Sequence, residues 1–295
     1  MGTLGPGLYS NDLSADVRND FREVVRAPWD AERLVAHLAS RHPAATDPDD
    51  EEHTDFWLVV ADQLWRYGMA HAQTIERVRE IVRSGRDLDA KRALGMSSAD
   101  VRKRGRQIDE LLSRVQTNNP HAAARNVPKR PEPFLLPEGG CLTWPTTQGR
   151  ARNPYVGTRQ SAAYDALYGW APDGWGALVV LACFHRYEVL ARYVGGVLEL
   201  ATSHRPAVED YGRAKIRVED PGSGRGRLVA SFFAPKAHLA NMKVETVGTV
   251  EVDGHAIRRD LPPFTSMIDT NLGDLVSAWS NQQLAAAIAL APWLR

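Results

Sequence analysis

Up to about residue 115 the apolar residues of this chain keep one period, and after about residue 138 they keep another. That switch limits what the chain can fold into more than any other feature. Before it, hydrophobic side chains recur three and four residues apart, the repeat of a helix with one buried face. After it, short apolar or alternating runs are separated by turns rich in Gly and Pro, the pattern of strands. Between the two lies Asn118-Asn119-Pro120, followed by Pro128, Pro131, Pro133 and Pro137 among basic residues. Proline removes the amide that a helix or a ladder needs, so this stretch should be extended, as a linker or a strap over the surface. The expectation is an α+β protein with a helical bundle over 1–117, a proline-rich connector over 118–137 and a β-rich domain over 138–295. The last part should be an antiparallel β-sheet or small barrel with a C-terminal helix.

In the first part Leu13, Val17, Phe21 and Val24 form one stripe, ended by Pro28. Asn11 or Asp12 can cap that helix, and Asp30 can cap the next, which carries Leu34, Val35 and Leu38. The run Phe56 to Tyr67 is apolar nearly all round and stops at Gly68, which marks a central buried helix. Ile75, Val78 and Val82 define another, closed by Gly85. Ser97 or Ser98 can start a helix over 98–115 whose outer face carries Arg102, Lys103 and Arg106. In the second part Gly176 to Phe184 reads as a strand covered on both faces. Gly195-Gly196 and Asp253-Gly254 read as hairpin turns, Pro221 to Gly224 as a further turn, and Leu272 to Leu290 as helix.

A net charge of zero argues against a dedicated nucleic-acid binder. Cys141 and Cys183 are the only cysteines and are expected to be reduced. Met1 leads into Gly and Pro, which predicts no signal peptide, and the longest apolar run is too short to cross a bilayer. The expected location is therefore cytoplasmic, with no membrane partner. The acidic segment Asp47 to Asp55 lacks the Gly of a calcium loop, and the histidines lack zinc spacing, so no metal is expected. Pro221 to Gly226 runs into a strand and not a helix, which excludes a phosphate loop, and no cofactor is expected.

The candidate binding residues are Trp144, Tyr155, Trp170 and Trp175, aromatics set among Gly, Pro and Asn beside the first strands. Aromatics on loops give large contact area at small entropic cost, which suits a surface for a partner. Cys183 and His185 are the alternative catalytic candidates, because residues two apart on a strand share a face.

The opening segment Gly5-Pro-Gly-Leu-Tyr-Ser-Asn-Asp-Leu-Ser-Ala-Asp16 is dense in residues chosen for backbone geometry. Its two glycines are expected to take positive φ around Pro6. It resembles the start of a bacterial family of unknown function, marked by Gly-x-Gly-x-aromatic-x-Asn-Asp-x-x-Ala-Asp. Leu4 stands where that family usually has Trp. The β-rich part resembles bacterial immunity-protein domains in its Pro-Thr-x-x-Gly turn followed by a strand led by Gly-Trp-Gly. The expected function is that of a non-catalytic binding protein, an immunity or antitoxin-type factor acting on a protein partner. The alternatives are an enzyme using Cys183 and His185 beside the aromatic loops, and a nucleic-acid-associated factor using the basic helix 98–115.

Overall fold

A computed structural model describes residues 5–200, 203–218, 230–260, 269–273, 275–276 and 286–294. The chain divides into two compact units, one of residues 1–130 with 187–189, the other of residues 131–186 with 190–295.

Helices of the first unit begin where a side chain can satisfy free amides. Asn11 Oδ1 accepts from the Ser14 amide at 2.7 Å and starts α1 (Asp12–Val24). Asp30 does the same for α2 (Ala31–Arg41) through the Arg33 amide at 2.9 Å. After the short α3 (Pro43–Thr46) comes α4 (His53–Arg66), in which every residue from His53 to Leu64 is buried. It is the central helix that its all-round apolarity predicts, packed against α1 and α3 and also α5 (Ala72–Ser84) and α7 (Ser98–Val115). α5 ends at Gly85 in the left-handed region, φ 70°, which is glycine's place at a helix end. Between α5 and α7 lies α6 (Arg86–Ala93), a helix that apolar spacing does not reveal because its buried residues are Asp87 and Lys91.

Those two residues belong to a buried ionic cluster. Arg104 on α7 is 1% exposed. Its guanidinium donates to both Asp87 carboxylate oxygens at 2.9 Å, to Asp55 Oδ1 at 2.6 Å and to the Gly7 carbonyl at 2.9 Å. Lys91 Nζ lies 2.5 Å from Asp55 Oδ2, which also accepts from Asn11 Nδ2 at 2.7 Å. Burial opposes the Arg104 charge, but the Asp87 and Asp55 carboxylates outweigh it and hold its pKa above the ordinary value. The opening segment is thereby fastened to the bundle. Tyr9 adds a second tie, its hydroxyl 2.5 Å from Asp62 Oδ2, and burial followed by the Asp62 charge raises its pKa.

Gly5 and Gly7 correct the sequence reading. Neither takes a positive φ, and a Cβ on either would meet nothing nearer than Ser10 at 3.9 Å. The turn is shaped instead by the Ser10 hydroxyl, 2.5 Å from the Gly5 carbonyl and 2.6 Å from that of Gly7. The first part of the connector lies on the helical unit. Asn119 Nδ2 donates to the Trp65 carbonyl, the Ala123 amide to that of Arg66, and Arg125 to those of Val25, Ala27 and Trp29.

The second unit is built on a mixed sheet. Its elements in chain order are β1 (Gly140–Thr147), β2 (Arg150–Ala151), α8 (Ser161–Leu167), β3 (Gly174–Arg186) and β4 (Leu190–Glu199). Then follow α9 (Val208–Tyr211), β5 (Lys215–Val218), β6 (Ala230–Phe233), α10 (Lys236–Met242), β7 (Glu245–Thr249), α11 (Gly254–Asp260), β8 (Asp269–Asn271) and β9 (Ala286–Ala289). The strand order is β2-β1-β3-β4-β5-β9, with β7 also on β1 and β6 on β4. These pairs are antiparallel, while β8 runs parallel to β6. Alternation along β3 buries Ala177, Val179 and Leu181 on one face with Cys141, Val194 and Ile257. It buries Leu178 and Val180 on the other with Leu142, Trp144, Tyr193 and Phe232. The strand is covered on both faces, as its continuous apolar run implies.

Both glycine turn signals fail here. Gly195-Gly196 lies inside β4, opposite Val180 and Val179. A Cβ on Gly195 would come within 2.7 Å of the Val179 carbonyl and 2.9 Å of Phe232, so glycine serves close packing at that point. The hairpin turns instead at Tyr187 and Glu188, φ 52° and 71°. Gly254 opens α11, with Asp253 Oδ1 accepting from the His255 amide at 2.9 Å. The stretch from Leu272 is helical at 272–273 and 275–276, but its far end is β9, which pairs with β5. The expected turn at Pro221 to Gly224 lies outside the described residues.

Candidate functional site

Trp144 is 2% exposed and belongs to the core, which corrects its assignment to a binding surface. The reason is its cross-strand partner Gly176, at which a Cβ would come within 2.4 Å of the indole. The missing side chain of Gly176 leaves the space that the Trp144 ring fills. Trp170 and Trp175 are half-buried, and Trp175 shares the lining of a 280 Å³ cavity with Trp144. The Nε1 groups of Trp144 and Trp170 have no hydrogen-bond partner among the described residues. Tyr155 alone of the four is well exposed, at 63%.

Tyr155 lies on the excursion from residue 152 to 173, which joins β2 to β3 and carries α8. Its base is fastened by buried groups. Arg152, 2% exposed, donates from Nε to Asp165 Oδ1 and from a terminal nitrogen to the Asn241 carbonyl, both at 2.9 Å. Asn241 Nδ2 in turn donates to the Pro154 carbonyl at 2.7 Å. The Trp170 amide donates to the Asp165 carbonyl at 2.8 Å, and Gly169 closes α8 with φ 59°. At the other end Asp173 Oδ1 accepts from the Gln148 amide at 2.9 Å. On this fixed base Leu167 is 76% and Tyr168 66% exposed. Tyr168 packs against Tyr164 one turn earlier, with ring centroids 4.6 Å apart and planes tilted by 38°. Arg150 and Arg159 are exposed nearby. Leu167 and Tyr168 were not among the sequence candidates, although Tyr164, Leu167 and Tyr168 stand at helical spacing after Ala162-Ala163.

The catalytic candidates do not form a nucleophile and base. Burial, followed by the Glu138 charge, pushes the Cys183 thiol up to about 12, so it stays protonated at neutral pH. Its sulfur lies 3.6 Å from the Leu136 carbonyl. His185 Nε2 lies 2.9 Å from the Glu132 carbonyl, and its ring stacks on Phe134 at 4.5 Å. The basic concentration around α7 is also divided. Arg104 and Lys91 are consumed by buried carboxylates, leaving Arg102, Lys103 and Arg106 exposed on α7. Among the described residues, no group of three His, Cys, Asp or Glu could hold a metal ion, and no helix is long and apolar enough to cross a membrane.

Compared with known proteins, the chain matches no family model, no curated protein and no solved structure.

Proposed function

We propose that this chain is a non-catalytic binding protein, of immunity or antitoxin type, that docks a protein partner on the β2–β3 excursion. The observation that carries the reading is the exposure of Leu167, Tyr168 and Tyr155 on a segment whose base is fixed by buried hydrogen bonds. Exposed apolar side chains held on a rigid frame lose little entropy on binding, and such groups act as anchors in interfaces. The exposed Arg150 and Arg159 suit a partner whose apolar groove is edged by carboxylates. The raised pKa of Cys183 and the engagement of His185 weigh for binding over catalysis.

The test places a photo-crosslinking amino acid at position 168 of the full chain in its own cells, alongside the same chain carrying Leu167→Asp. One dominant protein adduct is expected, with affinity for the captured partner reduced at least about tenfold by Leu167→Asp. The melting temperature should hardly change, since a surface substitution costs within about 0.5 kcal/mol. An absent adduct, or a partner bound equally well by the variant, would overturn the reading.

A further inference from the structure

The helical unit contains a cavity of 360 Å³ between the end of α4, the start of α5, the end of α7 and the first residues of the connector. We infer that it is a binding site for a small, neutral, mainly aromatic molecule with a polar end. Its size falls in the range of small-ligand pockets, which run from about 300 to 1,000 Å³.

The walls are built to keep it open. Gly68 turns the chain after α4 with φ 64°, and the Met69 amide closes the turn on the Leu64 carbonyl at 2.9 Å. Trp65 is held at two points, its Nε1 donating to the Thr117 carbonyl at 3.2 Å and its own carbonyl accepting from Asn119 at 3.1 Å. The Arg114 guanidinium lies 5.0 Å from the Trp65 ring centre. An aromatic wall braced in this way cannot easily swing in to fill the space, so the void persists in the folded state.

The lining sets the ligand chemistry. Leu64, Trp65, Met69 and Ile75 offer apolar, aromatic and polarisable surface, which favours a flat aromatic body. No Asp, Glu, Lys or Arg is part of the described lining. A charged ligand would leave water without a counter-charge, so the site selects neutral molecules. Polar partners come from His71 and Asn118. His71 caps α5, its Nδ1 accepting from the Thr74 amide at 3.3 Å and lying 2.7 Å from Thr74 Oγ1. With Nδ1 used as an acceptor, neutral imidazole carries its proton on Nε2, which leaves an N–H to meet a carbonyl of the ligand.

The experiment compares 2-naphthamide with 2-naphthoate, equal in shape and different in charge, by ligand-observed NMR with the full chain. Saturable binding of the amide is expected with Kd below about 1 mM, and the carboxylate should bind at least about tenfold more weakly. Ala70→Trp, at an exposed lining position, should fill the space and abolish amide binding. His71→Asn keeps a good capping residue but removes the imidazole donor, and should weaken amide binding about fivefold with α5 intact by circular dichroism. Absence of saturable amide binding, equal binding of amide and carboxylate, or amide binding untouched by Ala70→Trp would each overturn the inference.

Discussion

Arg104→Met separates a buried structural arginine from a solvated helix face. In the folded protein Arg104 is 1% exposed and makes four short contacts, two with Asp87, one with Asp55 and one with the Gly7 carbonyl. Methionine keeps much of the volume and removes the charge. Asp55 would retain Lys91 and Asn11, whereas Asp87 would retain the Thr54 hydroxyl at 3.0 Å and, among the described residues, no cation. Removing one member of a buried ion pair costs about 3–5 kcal/mol, because the remaining charge is dry and unpaired. That is a large part of the roughly 5–15 kcal/mol that holds a typical domain together. Urea denaturation followed by helical circular dichroism should therefore show a lower midpoint. Arg104→Met combined with Asp87→Leu should recover at least about 1 kcal/mol of the loss, since the orphaned carboxylate is gone. A loss below about 1 kcal/mol, or no recovery when Asp87→Leu is added, would refute the reasoning and return Arg104 to the exposed basic face.

Two further outcomes follow from the β-rich unit. Gly195→Val should destabilise it by about 1–3 kcal/mol in chemical denaturation, because its Cβ would collide with the Val179 carbonyl and Phe232; an unchanged denaturation midpoint would contradict this. Burial pushes the thiols of Cys141 and Cys183 up from 9.0 to about 11 and about 12, so the stability they contribute is complete below about pH 9 and is lost as pH rises through those values. Melting temperature should stay level from pH 7 to 9 and fall above it, less steeply when both cysteines are alanine; a fall beginning below pH 9 would contradict this.

The sequence by itself determined the class of the fold, the central helix and the strand that runs through both layers of the β core. These are legible because apolar spacing reports burial directly: α4 is buried from His53 to Leu64, and Gly176 to Phe184 continues apolar because both faces of β3 are covered. The helix caps at Asn11, Asp30 and Ser97 were legible for a similar local reason, since a short polar side chain needs only the amide three residues on. Tertiary structure decided the rest. α6 was invisible because its inward face is charged, and Asp87 and Lys91 are buried only because Arg104 and Asp55 meet them from other helices. Gly195-Gly196 and Asp253-Gly254 look like turns in isolation, but one is a close-packing point under Phe232 and the other opens a helix. Of the four aromatic candidates, chain neighbours could not say which would sink and which would face water. Trp144 was drawn into the core by the space that Gly176 leaves across the strand, while the anchors of the β2–β3 excursion left Leu167 and Tyr168 outside. Local geometry is written in residues a few positions apart, and burial depends on partners brought together from far along the chain.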